Sequence, residues 1–361
     1  MSDNSIIVTQ SQELINVQET STRSYAVKQM ILDDVAGEIA NHNEIDWRDL
    51  EPFEDEESGK WGFKSEKDDE VKIKAIFDKA YWFSEGYARV KLNNKYRYIK
   101  ADGKPAIEII YNHAEDFSEG FAAIAIDGVW GYIKMDGTYL IEPRFEEANN
   151  FNEGFAGVKL DKKSGFIKTD GQYLFEPMFD FVSNFNEGFA RVCLNDKMGF
   201  IDGNGKYLVE PKFDQVSNFR GGFALVILYQ FYEGLSQVMG FKMGFIKTDG
   251  MYLIEPMYDE AYDFNEGFAR VKLNGKWGLI KTDGTYLFEP NFDEPTPINN
   301  FFNGFMIFKA FGKYGYVKKD GTYLSSPKYD DADWFENGFA KVEINGRIGK
   351  IDTQGNEYWD D

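Results

Sequence analysis

The sequence predicts an all-β protein of tandem three-stranded antiparallel meanders, stacked as an open solenoid or superhelix, with a closed propeller-like ring as the alternative. Three observations predict it: a repeat of about 34 residues, short runs of alternating apolar residues, and turn dipeptides at fixed places between the runs. The glycine of a Lys-aromatic-Gly-aromatic block falls at Gly62, Gly131, Gly165, Gly199, Gly244, Gly278, Gly315 and Gly349, and Arg97 takes the same slot in Lys95-Tyr96-Arg97-Tyr98. Counting Arg97, successive positions lie 35, 34, 34, 34, 45, 34, 37 and 34 residues apart. About nine units therefore fill residues 60–361, and a small sheet that is marginal alone gains its core by stacking on the next.

Ahead of the array, residues 1–21 are polar and expected to form a disordered tail. Over residues 22–41, Tyr25, Val27, Met30, Ile31, Val35 and Ile39 fall near helical spacing, which predicts a short N-terminal helix. With the acidic stretch Asp46 to Glu57 it makes a cap or linker over residues 22–59, and repeat arrays need such caps.

Residues 264–293 show one unit in full. Ala269, Val271 and Leu273 alternate with Arg270 and Lys272, the period of a half-buried strand. Asn274-Gly275 follows, a hairpin signal because both central residues of that turn need positive φ. The second strand runs from Lys276 to Lys281 and stops at the turn dipeptide Asp283-Gly284. A third, Tyr286-Leu287-Phe288, ends at Glu289-Pro290, since proline cannot donate to a ladder. A closing loop leads to the next unit, and other copies open at Phe83, Phe117, Phe151 and Phe185.

The Lys-Trp-Gly-Phe-Ile, Asp-Gly-x-Tyr and Glu-Pro-x-Phe-Asp blocks resemble those of the bacterial WG-repeat (KWG-repeat) proteins. The resemblance covers residues 60–361 and implies an all-β repeat array with no catalytic residues to carry over. Trp-Gly itself stands at Trp61-Gly62, Trp130-Gly131 and Trp277-Gly278, while Tyr314, Met198, Met243, Ser164 and Ile348 take the tryptophan's place elsewhere. Such variety argues against that tryptophan as a ligand contact.

The longest step marks an insertion near residues 226–240, where Phe231-Tyr232-Glu233-Gly234 repeats the opening block of a unit. Insertions in repeat arrays often map to the binding face. Tyr229, Phe231 and Tyr232 are therefore the candidate partner contacts, as aromatics of the kind enriched at binding hot spots. A smaller expansion lies at Glu294-Pro295-Thr296-Pro297.

Forty basic residues stand against 61 acidic, a net charge of −21. That balance counts against nucleic acid and anionic membranes, which are held by Lys and Arg, and favours a partner protein with a basic surface. The single cysteine, Cys193, fits a reducing compartment. With neither a secretory signal nor an apolar run long enough to span a bilayer, the expected location is the cytoplasm.

Catalytic patterns are missing. The two histidines, His42 and His113, lie apart, and no zinc or phosphate-loop motif is present, so no metal and no cofactor is expected. Asp202-Gly203-Asn204-Gly205 resembles the start of a calcium loop, but it sits at the recurrent Asp-Gly turn and lacks the closing glutamate. Glu85, Glu119, Glu153, Glu187 and Glu266, with Asp180, Asp214, Asp259 and Asp293, recur unit after unit. A glycosidase needs two unlike carboxylates at one bond, so these read as turn formers and local hydrogen-bond acceptors. The expected function is a non-catalytic protein-interaction scaffold. A glycan-binding module, stacking exposed Tyr and Trp on sugars, is the second reading and a loop-built enzyme the third.

Overall fold

In the computed structural model, residues 45–231, 238–295 and 301–359 are described. The expected tail over 1–21, the helix over 22–41 and His42 lie outside them, as do Tyr232 and Thr296-Pro297. The described chain is all-β apart from a 3-10 turn at Trp47–Asp49. It forms nine antiparallel sheets in chain order.

The expected three strands are present in every sheet but the second, and the closing loop adds another that the pattern did not show. In the fifth sheet these are Phe181–Val182, Phe189–Leu194, Lys197–Asp202 and Tyr207–Phe213. The extra strand is two residues long and pairs Phe181 with Cys193 and Val182 with Val192. Seven of the nine sheets carry four strands. The acidic stretch supplies Leu50–Glu54, the first strand of the first sheet, which pairs with Trp61–Ser65. The turns follow the sequence: Asn274 and Gly275 take φ of 51° and 78°.

Contacts divide the chain into two compact units, to Pro177 and from Met178. Within each, every core joins one sheet to the next, as a solenoid-like array requires. In the first unit Phe121 and Tyr132 of the third sheet clamp Phe151, from the loop of the next repeat, with ring centroids at 4.8 and 5.2 Å. In the second unit Phe189 and Phe200 hold Phe219 at 4.7 and 4.9 Å, and Phe305 and Tyr316 hold Phe335 at 4.3 and 5.1 Å. Phe151, Phe219 and Phe335 are each 2% exposed or less. Within each unit, the phenylalanine that opens a sequence block is therefore the plug that couples its repeat to the one before. Aromatic pairs of this kind add about 0.5–1.5 kcal/mol beyond burial.

The recurrent glycine has a steric cause. A Cβ on Gly199 would stand 2.4 Å from the Val209 carbonyl oxygen and 2.6 Å from Pro211 N, both backbone atoms of the third strand. Gly131, Gly165, Gly244 and Gly278 meet the same strand at 2.5–2.6 Å. At these places the Glu-Pro bulge crosses directly over the glycine. Arg97 is the internal control: its side chain is buried, Glu-Pro is replaced by Glu108-Ile109, and no third strand follows. Residues 105–111 are held by two isolated bridges, Ile99 to Pro105 and Tyr96 to Tyr111.

Candidate interaction surface

The repeated carboxylates hold the array together, so they come first. Asp259 accepts from Lys242 Nζ at 2.5 Å on one oxygen, while its other oxygen receives the Gly275 N–H at 3.4 Å. Asp78 does the same with Lys60 at 2.6 Å and the Asn94 N–H at 3.4 Å. Asp330 pairs with Lys313 and takes the Asn345 N–H at 2.6 Å. Each aspartate thus ties the second strand of one repeat to the hairpin turn of the next. The glutamates reach a full period. Gly120 N–H donates to Glu85 and Gly154 N–H to Glu119, each at 2.8 Å, and Gly221 and Gly222 donate to Glu187 at 2.7 and 2.9 Å. They are acceptors as expected, but they act between repeats rather than within one turn. Asp202 is a local turn former, accepting from the Asn204 and Lys206 N–H groups at 2.9 and 2.8 Å.

The lysine hydrogen bonds hold the carboxyls of Asp78, Asp259, Asp293 and Asp330 below the usual aspartate value. A depressed folded value stabilises the fold fully above the unfolded pKa, and that stability is lost as pH falls through the folded one. The thermal midpoint is expected to be level from about pH 7 to about pH 5 and to fall progressively below about pH 4. A midpoint that stays level to about pH 3 would show that the staples carry no stability.

The Trp-Gly tryptophan is also structural where it is best packed. Trp277 is 9% exposed, with Tyr262 at 5.9 Å and the Arg270 guanidinium at 5.1 Å from its ring. His113 is an exposed residue between Tyr96 and Trp130, at 5.9 and 6.2 Å. Cys193 is half-buried, and burial raises its thiol pKa. Among the described residues no cluster of His, Cys, Asp or Glu is arranged to hold a metal ion, and no helix is long and apolar enough to cross a membrane.

What departs from the repeat is the first hairpin of the sixth sheet, Phe223–Phe231 with Val238–Lys247. In the fifth sheet this hairpin has six rungs and turns after the pair Leu194–Lys197. Here the equivalent pair is Leu228–Lys242, and Tyr229–Phe241, Gln230–Gly240 and Phe231–Val238 continue the ladder. The residue at the usual turn position is Tyr229 rather than Asn or Asp, and it stays in the strand. Its N–H still reaches the recurrent aspartate, Asp214, at 2.7 Å, and its hydroxyl accepts from Gln215 Nε2. The added rungs lengthen the ribbon by roughly 10 Å at ~3.4 Å per residue.

Side chains alternate across a ladder, so Tyr229, Phe231, Phe241 and Val238 share one face. Phe231 is 48% exposed, Val238 45% and Phe241 41%, with Met239 left unpaired by a bulge and 55% exposed. Of the sequence candidates, the structure brings Tyr229 and Phe231 together. Val238, Met239 and Phe241, on the return strand, were missed. A second departure was missed as well: Phe311 stands where other hairpins have Asn or Asp, at φ 53° and 89% exposed. A bulky residue in that region is strained by about 1–3 kcal/mol. Both departures occupy the tip of the first hairpin of their repeats, within the second unit.

A β-repeat array whose charged groups hold it together and whose irregular hairpin presents apolar side chains belongs to the class of repeat proteins suited to binding. The WG containing repeat family matches residues 61–96, 96–130, 130–163, 165–197, 198–230, 243–277, 277–313 and 314–347. The chain belongs to the WG-repeat family. No curated protein sequence matches it. Among solved structures it is similar to a eukaryotic initiation factor, at 10% identity over 85% of this chain and 97% of that one, with a TM-score of 0.39. Hsv2p of Kluyveromyces lactis matches at 10% identity over 78% and 95%, TM-score 0.32. PorZ of Porphyromonas gingivalis matches at 10% over 85% and 52%, TM-score 0.27. Likeness at this level does not extend to function.

Proposed function

We propose that this protein is a non-catalytic, cytoplasmic protein-interaction scaffold that docks a partner on the hairpin tips of its second unit. The observation that carries the reading is the lengthened ribbon, which holds Phe231, Val238 and Phe241 on one exposed face. Exposed apolar patches rimmed by polar residues mark interaction sites, and aromatics anchor them. The net charge of −21 favours a partner with a basic surface, whose association then weakens with salt. The half-buried lone cysteine fits a reducing compartment.

The test is affinity capture from host lysate with the wild-type chain and with a Phe231→Ser/Phe241→Ser variant. One protein is expected at stoichiometric level with the wild type and is lost with the variant, while the thermal midpoints agree within about 2 °C, because both side chains are exposed. Equal recovery with both chains would remove the ribbon from the proposal. Recovery of no protein, with retention on a glycan array, would favour the glycan reading instead.

A further inference from the structure

One rung of the second sheet breaks the charge pattern of the repeat and points to a second site, in the first unit and independent of the ribbon. The strand Lys79–Ser84 pairs Lys79 with Lys91 of the strand Tyr87–Leu92. The same rung joins Glu147 to Lys159 in the fourth sheet and Glu260 to Lys272 in the seventh, closed by ion pairs of 2.7 and 2.6 Å. Phe181 and Cys193 occupy it in the fifth sheet, and Asp331 and Glu343 in the ninth. The sheet itself therefore prescribes no charge there. Like charges directly opposite one another repel, and in the second sheet both lysines are half-buried.

Aromatic rings position the two ammonium groups without neutralising them. Lys79 Nζ lies 3.5 Å from the centre of the Trp61 ring, and Lys91 Nζ lies 5.4 Å from that of Tyr96. A ring face attracts a cation but carries no net charge. Tyr96 is itself backed by His113, stacked on it at 5.9 Å. The carboxylates of this region are already engaged: Asp78 with Lys60 at 2.6 Å, and Glu115 and Asp116 with Arg89 at 3.3 and 3.0 Å. Among the described residues neither Lys79 nor Lys91 forms an ion pair. Two half-buried cations thus face one another with no anion between them, although the rung one repeat type away supplies that anion itself.

We infer that Lys79 and Lys91 form a binding site for the phosphate dianion of a monoester. Lysine side chains rooted about 5 Å apart across a rung can close on one group from both sides, each by a charge-assisted hydrogen bond. Two positive charges match a phosphate monoester, which carries about −1.5 to −2 at neutral pH, better than a carboxylate. A single phosphate fits a local basic spot on a protein of net charge −21, whereas a nucleic-acid backbone would extend into the surrounding negative charge.

The test is titration of the full chain with inorganic phosphate, followed by phosphorus NMR. A saturable shift of the phosphate resonance is expected, competed by sulfate and far less by acetate. Lys79→Glu recreates the Glu–Lys rung of the fourth and seventh sheets. It should keep a thermal midpoint at or above the wild type and weaken phosphate binding tenfold or more. Lys104→Glu makes the same charge change at an exposed position of the first unit and should bind as the wild type does. Tighter binding of a phosphoserine peptide of otherwise uncharged residues than of glycerol 3-phosphate would assign the phosphate to a partner protein, and the reverse order to a small molecule. No saturable shift at millimolar phosphate, equal binding by Lys79→Glu, or an equal loss in Lys104→Glu would overturn the inference.

Discussion

Replacing Phe335 by alanine is expected to destabilise the protein by about 3–5 kcal/mol, the usual loss for a buried phenylalanine truncated in a core. The loss should fall on one interface. Phe335 is 2% exposed and lies between Phe305 and Tyr316 of the eighth sheet, while its own backbone belongs to the repeat that builds the ninth. Repeat arrays are held by nearest-neighbour terms, so removing the plug uncouples the ninth sheet without touching the cores further back. Thermal unfolding should then show an early, small transition ahead of the main one. A single transition at the wild-type midpoint would mean that the strands alone bind neighbouring sheets together.

The second large effect is expected at Gly199. An alanine Cβ there would lie 2.4 to 2.8 Å from Val209, Pro211 and Glu210, in every case against backbone. No side chain can swing aside, so the third strand must lift off the hairpin. Overpacking costs about 1–3 kcal/mol in ordinary cores, and a clash with two strands' main chain belongs at the upper end or above. Gly240→Ala is the control, because its nearest neighbour is Gln230 Oε1 at 3.7 Å, and it should change stability by less than about 0.5 kcal/mol. Urea unfolding of the two variants checks the contrast, and equal stability would sink the steric account. The second sheet already shows the outcome: with Arg97 in the slot, the third strand is absent and the chain passes through two isolated bridges.

Much of this architecture was legible in the sequence, for a physical reason. Turn dipeptides, alternation and proline stops are local signals, and nine noisy copies of each reinforce one another. The two-residue fourth strand escaped because Phe181-Val182 and its counterparts are too short to show a period. The destination of the carboxylates escaped because their partners lie one repeat on: Glu85 and Gly120 are 35 residues apart, and a reading unit by unit sees only a turn. The plug escaped for the same reason, since Phe335 looks like the start of its own block until the sheet before it is in view.

At the candidate surface, Tyr229 and Phe231 were found because the insertion breaks the period. Phe241 needed the register, which places it across from Tyr229. Phe311 could have been found by aligning the turns, where it replaces the Asn of Asn274-Gly275 and Asn345-Gly346.

Hydrogen exchange of the Phe335→Ala variant, followed peptide by peptide, tests most directly the claim that each repeat is coupled to the last by one loop phenylalanine. Protection should fall together across the strands Phe339–Ile344, Arg347–Asp352 and Glu357–Trp359. The strands Phe189–Leu194 and Lys197–Asp202 should keep wild-type protection. Uniform loss along the chain, or none in the ninth sheet, would contradict the coupling.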